Sequence, residues 1–317
     1  MDTITHGLIG ALVSKAGFYQ KTGRVATIAF TIGAVFPDID FVSSFLGPDF
    51  ALRYHRGITH SVIAAPFFAI LLSSILYRLS SFKNLRFLIL MIALGIYSHI
   101  FFDLITSYGT VVFDPVSMKR YSWNLVFILD PFITIPVLIG LILAWRKKEA
   151  ALKASIIVLV FLSLYLLVCL YVREINAERL AEFAKERSFD VIKSSVYPRP
   201  LAPFFWMGVI ETEEAFYKGN LSIFNNAIYD YEVIQKTEGN YYIKLANKLD
   251  EVRLYRWFAD FPVSLYKNEN GKHIVEFFDL RFRMISTKFP FLLKVVFDNK
   301  GRLENISLDG RKIGKRF

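Results

Sequence analysis

The chain has 317 residues, 54% of them hydrophobic, and a formal net charge of +10. The apolar share exceeds the roughly 45–50% of soluble globular chains, and the excess falls before residue 173, which argues against a wholly soluble protein. The basic charge does not mark a nucleic-acid binder, because many Lys and Arg sit in short loops between apolar runs, and a single cysteine, Cys169, excludes a disulfide framework.

The N-terminal Met1-Asp2-Thr3-Ile4-Thr5-His6 lacks a basic n-region and does not read as a cleavable signal peptide. A membrane helix needs about 20 mostly apolar residues. Runs at 61–77, 87–105, 125–145 and 152–172 meet that need clearly. Two earlier runs are weaker: 4–18 is short and carries His6 and Lys15, and 25–46 contains Pro37, Asp38 and Asp40. The expectation for residues 1–175 is an α-helical multi-pass membrane domain of about six spans, four of them clear.

Loop charge sets orientation, since Lys and Arg accumulate on the cytoplasmic side. With six spans, Lys15, Lys21, Arg24, Arg78, Lys83, Arg86, Arg146, Lys147, Lys148 and Lys153 share one side. The short loops of the other side hold Arg53, Arg56, Lys119 and Arg120. The N-terminus and everything after Arg173 are then expected outside the cytoplasm.

Residues 173–187 read as a charged helical continuation. Short runs rich in Val, Ile, Tyr and Phe follow at 189–197, 217–224, 241–246, 252–258, 273–280, 292–297 and 303–308. Asn270-Gly271 and Asn299-Lys300-Gly301 are turn signals between them. Residues 176–317 are expected to form a small soluble extracytoplasmic domain of antiparallel strands, entered through a stiff segment with Pro198, Pro200, Pro203 and Trp206.

Four of the five histidines lie in the first hundred residues, each beside a polar companion. His99 and Asp103 are four apart, so on a helix they share one face and can grip one ion. Asp2 and His6 repeat the spacing. Pro37 discourages a continuous helix through Asp38 and Asp40, which frees both carboxylates to turn to one point. Gly57 breaks the chain between His55 and His60, with Thr59 in place for a helix cap. In the six-span order, His6, Asp38, Asp40, His55, His60, His99 and Asp103 all fall at the outer membrane level, although the charge count used none of them.

Singly, each residue has a plain structural explanation: a histidine at a membrane interface is tolerated, and an aspartate after proline is a turn former. Together they are the expected ligands of a divalent metal, because ionisable groups within spans are costly and mark function. Histidine with carboxylate suits zinc, manganese or iron rather than calcium, and the donors suffice for two ions. Arg56 is placed to hold a phosphate oxygen or a lipid headgroup. Asp130 reads equally as a residue behind the ligands or a helix start, and His273 as surface structure.

The segments Asp2-x-x-Thr5-His6, Phe36-Pro37-Asp38-Ile39-Asp40, His55-Arg56-Gly57-Ile58-Thr59-His60-Ser61 and His99-x-x-x-Asp103 resemble the YdjM-like family of membrane-bound metal-dependent hydrolases. The resemblance covers about the first 110 residues, and it implies hydrolase activity without naming a substrate. The resulting expectation is an integral-membrane metal-dependent hydrolase acting on a phosphoester or lipid-linked substrate at the outer interface. Asp38, Asp40 and Arg56 are its candidate catalytic groups and membrane lipids its partners. Alternatives are a non-catalytic metal scaffold, sensor or transporter, or a metalloprotease. Few polar groups on the cytoplasmic halves of the spans argue against transport. The missing His-Glu-x-x-His helix argues against the protease.

Overall fold

The structure is a computed structural model and describes residues 1–146, 148–237, 239–283 and 290–313. Lys147, one of the basic loop residues, lies outside the described residues. The chain divides into two compact units. The first comprises Met1–Asp40, Arg56–Arg173 and Pro200–Pro203, and the second Phe41–His55, Glu174–Arg199 and Phe204–Phe317.

In the first unit, α1 (Thr3–Lys15) starts on Asp2, whose carboxylate accepts the Thr5 N–H at 2.9 Å and satisfies one of the orphan donors of the first turn. A short α2 (Tyr19–Thr22) leads through Gly23, at φ +61°, into α3 (Arg24–Val35). The α-helix stops at Val35 and the chain continues as a 3-10 helix, Phe36–Phe45. The change falls at Pro37, which has no N–H to continue the α-pattern. After α4 (Pro48–Tyr54), which belongs to the second unit, a 3-10 turn Ile58–His60 precedes α5 (Ala65–Leu79). Asn84 caps α6 (Leu85–Leu104) by accepting the Phe87 N–H at 3.1 Å. The last two helices are α7 (Pro131–Arg146) and α8 (Ala151–Glu186).

Helices therefore stand where six spans were expected, but length and hydropathy qualify fewer of them. Among the described residues, Arg24–Phe45, Leu85–Leu104 and Ala151–Glu186 are long and apolar enough to cross a membrane. A fourth qualifies if the bent pair Pro48–His60 and Ala65–Leu79 is one span. The others are short: α1 has 13 residues and α7 has 16, against about 20 for a crossing. At 1.5 Å per residue α8 is about 54 Å long, more than a hydrocarbon core of about 30 Å.

The helices around the site approach closely because small residues line their crossings. Gly33 of α3 and Gly95 of α6 sit back to back, and a Cβ built on Gly95 would lie 2.6 Å from the Phe30 carbonyl oxygen. Gly10 of α1 faces α3 in the same way, 2.7 Å from the Ala34 Cβ. Two apolar cores flank these crossings, one around Ile9, Leu12, Ile133 and Val137, the other around Phe30, Met91, Ile92 and Ile96.

The second unit holds two antiparallel sheets. β1 (Lys193–Pro198), β2 (Phe205–Glu211), β3 (Ala215–Ser222) and β4 (Asn225–Gln235) pair in chain order. So do β5 (Pro262–Glu269), β6 (Lys272–Asp279), β7 (Leu293–Phe297), β8 (Leu303–Leu308) and β9 (Arg311–Lys312). Tyr197, Met207, Phe216, Phe261 and Phe278 are among the residues of its core. The hairpin expected at Asn270-Gly271 joins β5 to β6 with both residues at positive φ, 50° and 76°, as a tight two-residue turn requires.

Two of the expected strands are helices, α9 (Tyr241–Ala246) and α10 (Asp250–Phe258). Their Val, Tyr and Phe content reads as β, but in α10 the buried residues Val252, Tyr255 and Phe258 recur every three positions, a helical period. Asn240 caps α9 through the Tyr242 N–H at 2.8 Å. The expectation also missed β2, β4, β5 and β9, and the proline-rich entry segment is the end of β1 and the β1–β2 connection.

Outside the membrane segments, Asp260 accepts hydrogen bonds from Lys193 and Tyr197. Burial opposes its ionisation, but these bonds outweigh it and hold the carboxyl below its ordinary range.

Candidate metal centre

The first unit brings together residues that lie far apart in sequence. Gly95, His99 and Asp103 are spaced by four on α6 and so face one way. The close Gly33–Gly95 crossing sets the His99 Nδ1 2.6 Å from the Ala34 carbonyl oxygen at the end of α3. A carbonyl only accepts, so Nδ1 carries the proton and Nε2 presents its lone pair.

His60 is held in the same manner from the other side. Its Nδ1 lies 3.0 Å from Asp40 Oδ2, an oxygen that also accepts the Thr59 hydroxyl at 2.8 Å and the Arg56 backbone N–H at 2.9 Å. Its Nε2 is then directed to the His99 Nε2, 3.0 Å away. Thr59, expected as a helix cap, thus bonds Asp40, and the Ser61 hydroxyl accepts the Ile63 N–H at 3.1 Å in the turn ahead of α5.

Two carboxylates complete the convergence. Asp103 Oδ2 lies 3.2 Å from His60 Nε2 and 3.5 Å from His99 Nε2. Asp38 Oδ1 lies 3.7 Å and 3.5 Å from the same two nitrogens. Asp103 Oδ2 is buried and accepts no well-aligned hydrogen bond, a costly state for a carboxylate oxygen without a cation. One ligand atom each from Asp38, His60, His99 and Asp103 fall within 4.8 Å of one another.

The other oxygen of Asp103 is held by cations and by His6. Arg56 Nη2 donates to Oδ1 at 2.8 Å, His6 Nε2 lies 3.1 Å from it, and the Met1 amine also contacts it. Arg56 Nη1 donates to Thr106 Oγ1 at 3.0 Å, and the guanidinium sits over the Tyr108 ring at 4.8 Å. Arg56 has a φ of +61°, unusual for a non-glycine residue, and is tied in place by the Val111 N–H donating to its carbonyl at 2.9 Å. The His6 ring stacks on that of His99 with centroids 3.6 Å apart.

The remaining expected residues fall as follows. His55 ends α4 in the second unit, its N–H donating to the Ala51 carbonyl at 3.0 Å. Asp130 is a helix-start residue: Oδ1 accepts the Phe132 N–H at 2.9 Å and Oδ2 the Tyr165 hydroxyl at 2.7 Å. His273 is on β6, stacked on Tyr242 at 3.7 Å. Sequence reasoning missed Thr3, whose hydroxyl donates to Asp38 Oδ2, as well as Thr106 and the crossing glycines. The spacing of four from Gly95 through Asp103 was the available signal.

The donor set could hold a metal ion. It comprises two imidazoles with their outer nitrogens engaged by acceptors, two carboxylates and an orphaned buried oxygen, the kinds of ligand and ligand support that protein metal sites use. Calcium would call for oxygen donors throughout.

A model of the family described as YdjM inner membrane protein matches residues 1–176. The chain belongs to the YdjM family. The matched span takes in Asp38, His60, His99 and Asp103 of this YdjM protein and ends within α8. The chain is also similar to the uncharacterized protein YfhP of Bacillus subtilis (strain 168), 28% identical over 312 residues that cover 92% of this chain and 90% of that protein. No solved structure matches.

Proposed function

We propose that this YdjM-family chain is an integral-membrane, metal-dependent hydrolase that acts on a phosphoester at the membrane interface. One observation carries the reading: two histidine Nε2 atoms and two carboxylate oxygens from three separate elements converge in a largely buried cluster. Asp38, His60, His99 and Asp103 would hold the ion, with zinc the best match to the donors. His6 is a further imidazole beside this set, its Nε2 3.1 Å from Asp103 Oδ1. Such a metal supplies Lewis acidity and activates water near neutral pH.

The protein's own groups have distinct parts in this reading. Arg56 orients Asp103, and Asp40 fixes the His60 ring from behind. Asp38 is the carboxylate nearest solvent, its side chain 9% exposed against 0% for Asp103. With Oδ1 turned to the ion, its Oδ2, which accepts the Thr3 hydroxyl, would be the oxygen in reach to accept a proton from water attacking a bound ester.

Six crossings, with α1 and α7 as the shorter ones, would put the metal centre and the C-terminal region outside the cytoplasm. The support for this is the gathering of basic residues in the alternate loops.

A second reading, a metal that only staples helices, is favoured by the four donors already filling a tetrahedral sphere. One experiment separates the two. The purified protein is analysed for metal and assayed for phosphate release from phospholipids and isoprenoid phosphates. Near-stoichiometric metal is expected, with release that chelation stops and His99→Ala or Asp103→Ala abolishes. Full metal content with no turnover of any ester would leave only the staple. Unchanged metal in both variants would remove the site itself.

A further inference from the structure

The second unit carries a group of cations of its own, at the edge of its apolar core. On β3, Phe216, Lys218 and Asn220 alternate onto one face of the sheet. That face looks inward: Phe216 belongs to the core, and so do Val209 and Met207, which stand opposite Lys218 and Asn220 on β2. A lysine at an inward position is expected to be paired, because burying an isolated charge is costly. Lys218 is half-buried, yet among the described residues it makes no hydrogen bond or ion pair.

The carboxylate opposite it is committed elsewhere. Glu232 is the cross-strand partner of Lys218 on β4, but its Oε1 accepts Arg283 Nη1 at 2.6 Å. Arg199, which follows β1, donates from Nη1 to Asn220 Oδ1 at 2.8 Å. Burial, and after it the repulsion of Arg283 and Arg199, holds the Lys218 ammonium below its ordinary range against the pull of Glu232.

Three cations thus share one carboxylate, a formal excess of two positive charges. They come from three places in the unit: the end of β1, the middle of β3, and the residue after the 3-10 turn Leu280–Phe282. The side chains of Arg283 and Glu232 are 24% and 42% exposed, so the cluster is open to solvent. An ammonium offers a point donor and a guanidinium a planar fork. The group that meets all three is a dianion with at least three oxygens. A phosphate monoester has both properties, whereas a single carboxylate has one charge and two oxygens.

We propose that Arg199, Lys218 and Arg283 form an anion site in the second unit that binds the phosphate group of a phosphate monoester, with the Lys218 ammonium as its unpaired donor. Glu232 restrains the site by holding Arg283 and by repelling the anion. The site does not depend on the hydrolase reading.

The test uses full-length protein in phosphatidylcholine nanodiscs, with radiolabelled inorganic phosphate as the probe in equilibrium dialysis at fixed ionic strength. Saturable binding is expected, displaced by glycerol 3-phosphate. Lys218→Met keeps the length of the side chain without its charge and should weaken binding about 10–100-fold, as the loss of a hydrogen bond to a charged group does. Glu232→Gln should tighten it about threefold, the effect of one like charge several ångströms away in water. A folding defect cannot raise affinity, and phosphate held at the metal cluster would be indifferent to both changes, so the opposite signs together identify the site. Phosphatidic acid added to the disc separates two sources of the same chemistry. Displacement of the probe makes the occupant a lipid headgroup, and no displacement makes it a soluble monoester; both uphold the phosphate site.

Absence of saturable binding overturns the inference, as does binding that Lys218→Met leaves unchanged or that Glu232→Gln fails to tighten. Succinate that displaces the probe better than glycerol 3-phosphate would make the occupant a carboxylate and overturn it as well.

Discussion

Gly95→Ala tests whether the α3–α6 crossing builds the metal centre. The new Cβ would lie 2.6 Å from the Phe30 carbonyl oxygen and 3.0 Å from the Ala34 nitrogen, where ordinary contact begins at 3.4 Å. Both obstacles are backbone, so no side chain can swing away, and the helices must separate locally by about 0.8 Å. The His99 Nδ1 to Ala34 carbonyl distance, now 2.6 Å, would open to about 3.4 Å, past the usual range for such a bond. Overpacking of this kind costs about 1–3 kcal/mol. At roughly 2–4 °C per kcal/mol the unfolding midpoint should fall by several degrees. Releasing the His99 ring should also weaken metal binding by about 10–100-fold, the usual effect of losing the group that orients a ligand. The assays are thermal unfolding in detergent and metal competition with a chelator, with Gly17→Ala as a control, where nothing lies within 4 Å of the added Cβ but φ is +116°, so that backbone strain alone is sampled. A Gly95→Ala protein with wild-type metal affinity would refute the idea that this crossing positions His99.

Four further outcomes are expected. Asp40→Asn should weaken metal affinity about 10–100-fold while leaving the amount bound at saturation unchanged; a lost equivalent of metal would instead make Asp40 a direct ligand. Arg56→Lys should retain metal yet lower phosphate release about tenfold or more, since one of two fork contacts is lost and a hydrogen bond to a charged group is worth about 1.5–3 kcal/mol; unchanged turnover would remove Arg56 from the site's working parts. Asp260 has a folded-state pKa below its ordinary value because burial is outweighed by Lys193 and Tyr197, so its stabilisation is present above the unfolded range near 4 and is lost as pH falls through the lower folded value. The unfolding midpoint of the second unit should therefore drop with pH below about 4, and Asp260→Asn should flatten that dependence; an identical acid profile in the variant would refute the assignment. A reporter fused at the C-terminal end should be active outside the cytoplasm, and cytoplasmic activity would mean that one of the short helices, α1 or α7, does not cross.

Much of the His/Asp cluster was legible in the sequence because its signals are local. His99 and Asp103 share a helix face by their spacing, Pro37 marks where α3 gives up its α-form, and the apolar runs locate the helices. Two kinds of information were not local. Whether Val252, Tyr255 and Phe258 form a strand or a helix depends on which side they bury, and α4 packing against α10 settles that. The division of labour among the acidic residues is likewise tertiary. Asp38 and Asp40 are two positions apart in the chain, yet one faces the ligand nitrogens and the other sits behind the His60 ring. The guanidinium of Arg56 is turned to Asp103 by a positive φ and by contacts from Val111 and Thr106, neither of them near it in sequence. The sequence by itself determined which donors are present and which helices carry them, since periodicity and proline act over a few residues. Only the tertiary structure decided which donors point inward, because that depends on how closely helices approach, and at Gly33 and Gly95 a single methyl group would change the answer.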